Sequence, residues 1–111
     1  MADFVEIQIE AGATFQTEVN VNDANGYPKD LTEYTVRSQL RKSYYSTTAV
    51  DFEINVTDPI GGIIEMGLSA NTTANIRAGR YVYDVEIIEA NTQIVTRIFE
   101  GIATVLPNVT R

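Results

Sequence analysis

The run Ala78-Gly-Arg-Tyr-Val-Tyr-Asp-Val-Glu-Ile-Ile-Glu89 constrains the fold more than any other stretch, because it holds the clearest strand signal and the densest aromatic alternation. After Gly79, period-two spacing sets Tyr81, Tyr83, Val85 and Ile87 on one side and Val82, Asp84, Glu86 and Ile88 on the other. One side is apolar and the other mixed, the pattern of an internal strand whose sheet packs on a core through one face. The rest of the 111-residue chain must then supply neighbouring strands and a second layer to cover the apolar side.

Other runs provide both. Asp3 to Glu10 alternates Val5, Ile7 and Ile9 with Phe4, Glu6, Gln8 and Glu10, and after Ala11-Gly12 a second alternating run covers Thr14 to Val21. Asn20 to Asp30 is a long loop, with Asn25-Gly26 suited to a left-handed turn and Pro28 barring a central strand. In a third strand, Thr35 to Arg41, Val36, Ser38 and Leu40 oppose a cationic side carrying Arg37, Gln39 and Arg41. Lys42 to Thr48 reads as a polar excursion with exposed tyrosines. Val50 to Val56 follows as one strand with Val50, Phe52, Ile54 and Val56 pointing one way. Asp58-Pro-Ile-Gly-Gly62 then turns into a fifth strand, Ile63 to Leu68, which buries Ile64, Met66 and Leu68 and completes a hairpin. Ser69 can cap one helical turn before the central strand. The last turn falls at Asn91. Thr92 to Leu106 is a long final strand, bent near Gly101 by a bulge, and the chain leaves the sheet at Pro107-Asn-Val-Thr-Arg111. About seven short strands and no long helical segment predict an all-β fold of two packed antiparallel sheets, one domain over residues 1–111, with a small barrel as the alternative.

Composition removes most chemistry. Without cysteine there is no disulfide framework and no thiolate nucleophile or metal ligand. Without histidine the usual general base and zinc ligand are missing, which excludes serine-triad, cysteine-protease and histidine-zinc mechanisms. Paired carboxylates remain, and Asp51 with Glu53, or Asp84 with Glu86, stand two apart on exposed strand sides, as on a solvated sheet. Asn22, Asp23, Asn25 and Asp30 suggest calcium only superficially, since the ligand spacing and closing glutamate of a calcium loop are missing. No enzyme activity, cofactor or metal is expected. The net charge of −7, with eight scattered basic residues, opposes nucleic acid and anionic membrane as partners. Neither a secretion signal nor a membrane-spanning run is expected. Tryptophan is absent, and Tyr27, Tyr34, Tyr44 and Tyr45 read as loop-borne, a thin surface for stacking sugars.

Two resemblances add to this reading. Ala78-Gly-Arg-Tyr-Val-Tyr83 and the loop Leu68 to Arg77 resemble the opening of strand F in immunoglobulin-like sandwiches, where a corner tyrosine bonds back to the preceding loop. Tyr81 would take that corner role, or be an ordinary buried tyrosine at a strand start. Tyr83 stands where a disulfide-bonded domain places cysteine. The chain also looks like small virion structural proteins of tailed bacteriophages. The segments that carry this likeness are Asp23-Ala-Asn-Gly-Tyr-Pro-Lys-Asp-Leu-Thr32, Val36-Arg-Ser-Gln-Leu-Arg41, Asp58-Pro with Gly61-Gly62, Leu68-Ser69 to Asp84, and Gly101 to Arg111. These proteins resemble immunoglobulin-like modules at the N-terminal end of some baseplate and fibre-associated proteins. The likeness implies a non-catalytic assembly or attachment module of tail, baseplate or fibre, made in the bacterial cytoplasm and located in the phage particle. Its partners would be other virion proteins or copies of itself in a homo-oligomer. A free-standing module for carbohydrate or a cell-surface ligand is the alternative.

An immunoglobulin-like arrangement sets the third strand beside the central one, and the outer face of that sheet is where partners are expected to dock. Arg37 and Arg41 would lie across from Asp84 and Glu86, with Arg97 on the far neighbour. Val82 and Ile88 share the face, and Tyr44 and Tyr45 follow the arginine strand. A solvated ladder of surface ion pairs is the plainer account of the same residues.

Overall fold

A computed structural model of the chain describes residues 3–109. Met1, Ala2, Thr110 and Arg111 lie outside the described residues, and with them the end of the C-terminal tail. The elements in chain order are β1 (Asp3–Phe4), β2 (Ile7–Glu10), β3 (Phe15–Asn20), β4 (Tyr34–Arg41), β5 (Val50–Asp51), β6 (Glu53–Asp58), β7 (Ile63–Leu68), α1 (Ala70–Ala74), β8 (Gly79–Glu89) and β9 (Val95–Leu106). The larger sheet has the order β1-β9-β8-β4-β5, with β2 also on β9, and the smaller has the order β3-β7-β6. Pairing is antiparallel except for β1 and β2, which run parallel to β9.

Each sheet turns an apolar side inward, so the two close into an immunoglobulin-like β-sandwich. Leu40, Tyr83, Val85, Ala103 and Val105 of the larger sheet pack with Met66 and Leu68 of the smaller one. A second cluster of Val21, Leu31, Ile64 and Ile87 closes the end beneath the long loop. Tyr34, expected in a loop, instead begins β4 and packs half-buried against this cluster. Ser69 caps α1 by accepting from the Thr72 N–H at 3.3 Å, as expected. The fully buried Thr73 of α1 donates to the Ala13 carbonyl at 2.8 Å and so fixes the β2–β3 turn.

β8 sits between β9 and β4, the internal position that its pattern predicts. The Tyr81 hydroxyl donates to the Arg77 carbonyl at 2.6 Å, which is the tyrosine-corner bond. The Tyr83 hydroxyl reaches across the sheet to the Val5 carbonyl, also at 2.6 Å, and burial pushes it up to about 12.

Two of the expected runs are interrupted. Along Asp3 to Glu10 the register against β9 is continuous, with Phe4 beside Glu100 and Ile7 beside Ala103, but the strand is interrupted at residues 5 and 6 next to Gly101, where the Val5 N–H still donates to the Glu100 carbonyl. A Cβ at Gly101 would collide with the Val5 carbonyl, so a residue without one is required there. The run Val50 to Val56 is not one strand, as expected, but two. β5 pairs with β4, β6 pairs with β7, and the chain changes sheets at Phe52. The Phe52 N–H still donates to the Ser38 carbonyl at 2.9 Å, while its ring lies 6.1 Å from Phe15 and 6.3 Å from Tyr83.

The final strand departs from expectation twice. It starts at Val95 rather than Thr92, because Gln93 takes a left-handed φ of 59° in the preceding turn. The bulge lies at Ile98 and not near Gly101: Val85 faces Phe99 and Glu86 faces Arg97, which leaves Ile98 as the extra residue.

Candidate docking face

Strand register brings most of the expected residues onto one outer face. Arg37 lies opposite Glu86, Gln39 opposite Asp84, and Arg41 opposite Val82, while across β8 and β9 Val82 faces Ile102 and Asp84 faces Glu100. Residues paired in this way share a side of the sheet. The Arg37 guanidinium donates to Glu86 at 2.9 Å. Arg97 bridges two acids, reaching Asp84 and Glu100 at 3.3 Å each.

The Ile98 bulge makes the Arg97 bridge possible. In a regular strand residues three apart point to opposite faces. The extra residue turns Ile98 and Phe99 both toward the core, so Arg97 and Glu100 come out on the same side.

Arg41 departs from the expected pairing. It stands opposite Val82 rather than Asp84 or Glu86, and its guanidinium donates to the Ser46 carbonyl and to Gln39 Oε1. The cause is register, since the β4 residue that meets Asp84 is Gln39. Arg41 therefore fastens the Lys42–Thr48 loop to the sheet, and with it Tyr44, which is 67% exposed at the rim. Arg37, Arg41, Tyr44, Asp84, Arg97 and Glu100 line a depression of about 450 Å³.

Asp84 is half-buried in this face. Burial raises its carboxyl above the usual range, and Glu86 adds to the rise against the pull of Arg97, Arg37 and Arg41. The other carboxylate pair considered for catalysis spans the change of sheet at Phe52: Asp51 ends β5 and Glu53 begins β6, both exposed. Among the described residues no group of three or more acids could hold a metal ion.

Apolar residues surround the charges. Val82 and Ile102 are half-buried neighbours in register. Phe4, 59% exposed, stands beside Glu100, and Val95, 47% exposed, beside Ile88. The outer face of the smaller sheet differs. It presents Gln16, Glu18, Asn20, Glu53, Asn55 and Glu65, with Ile63 as its apolar member among the described residues. Alternation with Arg37 and Arg41 already set Gln39 on this side of the third strand, but not its place opposite Asp84. Sequence reasoning missed Glu100 as a member of the candidate face, because its side of the sheet depends on the position of the bulge.

No family model matches the chain, and no curated protein matches it in sequence. Solved structures match it in fold. The N-terminal domain of phage TP901-1 ORF48 aligns with a TM-score of 0.56 at 14% identity, over 95% of this chain and 88% of that one. The crystal structure of Listeria monocytogenes InlP gives 0.53 at 15% identity, over 94% of this chain but 26% of that one, so the chain spans about a quarter of its length. The NK cell receptor Nkp44, a triggering partner in natural cytotoxicity, gives 0.50 at 15% identity, over 96% of this chain and 99% of that one. The chain has the fold of a β-sandwich module, and a phage protein domain is among those that share it.

Proposed function

We propose that the chain is a non-catalytic assembly or attachment module of a tailed-phage virion, in tail, baseplate or fibre, that docks on other virion proteins or on copies of itself through the outer face of β9, β8 and β4. The observation that carries this is Val82 and Ile102 lying side by side among ion-paired arginines, with exposed Phe4 and Tyr44 at the margins. A face that met only water would resemble the outer side of the smaller sheet. Ion pairs of this kind set register and exclude wrong partners, while apolar and aromatic residues supply affinity. The resemblance to small virion proteins gives the setting, and a phage protein among the fold neighbours agrees with it.

Mass spectrometry of purified particles, with antibody labelling, tests the setting; absence of the chain from particles would sink it. Arg37→Glu and Val82→Asp test the face. Both variants are expected to keep nearly the parent Tm and to lose oligomer mass by light scattering, or incorporation into particles. Assembly like the parent by both would remove the face from the proposal.

The polar depression with Tyr44 at its rim favours a second reading, a free-standing module for carbohydrate or a cell-surface ligand. A glycan array separates the two: specific binding that Tyr44→Ala abolishes supports the second reading.

A further inference from the structure

The smaller sheet has an open edge with the makings of a different docking surface. β3 bonds to β7 on one side only. The Val21 N–H donates to the Gly62 carbonyl at 2.8 Å, which continues the β3–β7 register by one pair. Residues that bond across an antiparallel ladder alternate with residues that point away from it. Phe15, Thr17 and Val19 therefore face β7, and the backbone N–H and C=O groups of Gln16, Glu18 and Asn20 face outward, free to pair with another strand.

A cleft of about 250 Å³ opens between the two sheets along this edge, lined by Val19 and Met66 from the smaller sheet and Val5, Ile7, Val85 and Phe99 from the larger. A strand laid against β3 would send alternate side chains into this cleft and the others out beside Gln16, Glu18 and Asn20. The first set must be apolar. The second set meets Glu18 and Glu65, which stand directly opposite each other on β3 and β7. Neither has a cation in salt-bridge range among the described residues, and like charges so placed destabilise a sheet. A lysine or arginine on the added strand would relieve them.

A second copy does not fit. Two β3 edges paired about Glu18 would bring carboxylate against carboxylate, and β3 holds no cation. The run of this chain in which Val36 and Leu40 alternate with Arg37 and Arg41 is already inside the larger sheet between β8 and β5. We propose that β3 accepts an extended segment of a different protein as an added strand, one whose residues alternate between apolar and Lys or Arg.

The probe is a blocked synthetic peptide alternating valine and lysine, about as long as β3, titrated into the isotopically labelled chain. Amide shifts are expected to concentrate at Gln16, Glu18 and Asn20, with hydrogen exchange slowed at those three. Glu18→Lys is expected to weaken binding about tenfold or more while leaving the fold at least as stable, since it removes a like-charge pair. Glu18→Pro, which deletes an N–H that β7 does not use, is expected to abolish binding. Should Glu18→Pro fail to fold, Glu18→Lys and the exchange pattern still decide. Absence of binding, undiminished binding to Glu18→Lys, or shifts spread over the acidic surface without slowed exchange at the three amides would each overturn the proposal.

Discussion

The two interrupted runs, Asp3–Glu10 and Val50–Val56, look alike in sequence and behave differently in the fold. Both alternate without a break. At residues 5 and 6 the first is interrupted and resumes on the same neighbour, β9, in the same register. At Phe52 the second abandons one sheet for the other. Alternation records which side of a strand the core lies on, and both sheets of a sandwich face one core. Val50, Phe52, Ile54 and Val56 can therefore keep pointing inward while their hydrogen-bonding partners change from β4 to β7. The first run breaks for a local reason, which is the approach of the Val5 carbonyl to Gly101, and it is held there by Tyr83 from β8.

The contrast can be broken at either site. The largest effects are expected from removing the rings that meet at the core. Phe52→Ala and Tyr83→Ala should each destabilise by about 3–5 kcal/mol in chemical denaturation. A loss below about 1 kcal/mol for Phe52→Ala would mean that the change of sheet does not depend on its burial. Gly101→Ala should cost about 1–3 kcal/mol, because the new Cβ must push the Val5 backbone aside. Hydrogen exchange at the Val5 amide, which bonds the Glu100 carbonyl at 2.9 Å, should rise while that of Phe52 does not. Equal changes at both amides would show that the two breaks are coupled.

Tyr83→Phe is a smaller change, of about 1 kcal/mol, since it leaves the ring and removes one hydrogen bond. It also has a pH signature. The folded state holds the Tyr83 proton up to about 12, against an ordinary value of 10.0. Its contribution is therefore complete below pH 10.0 and is lost as pH rises toward about 12, where the unfolded chain ionises first. Alkaline denaturation of Tyr83→Phe should lack that part of the decline. Asp51→Ala, next to Phe52 but exposed, should shift stability by less than about 0.5 kcal/mol.

Most of the inward-facing residues were legible in the sequence, because burying one face of a strand imposes period two directly on its residues. Tyr83, Val85 and Ile87 are buried, as are Ile64, Met66 and Leu68, and the corner bond of Tyr81 is present. Choice of partner strand was less legible. The sheet change at Phe52 leaves the alternation intact, and the bulge at Ile98 hides in a run that is apolar on both sides. Gly101 drew attention as a glycine in a strand, but its role is to admit a neighbouring backbone rather than to bend its own. In the proposed docking face, Arg37 with Glu86 and Arg97 with Asp84 came together, whereas Arg41 missed its acids by one pair of residues. Alternation assigns a side chain to a face; it does not fix how far two strands slide along each other.

The parallel seating of β1 and β2 on β9 has a mechanical consequence. The first strand enters at the end where β9 begins, and β9 leaves at the end where β2 finishes. Tension applied between the two ends of the domain would drag these strands past each other lengthwise, so their hydrogen bonds would bear the load together and not peel off in sequence. The bond from the Tyr83 hydroxyl to the Val5 carbonyl would act as a crosspiece against that sliding. Single-molecule stretching from the two ends should then give a high rupture force that Tyr83→Phe lowers, and a force unchanged by that substitution would mean that resistance to pulling resides elsewhere in the sandwich.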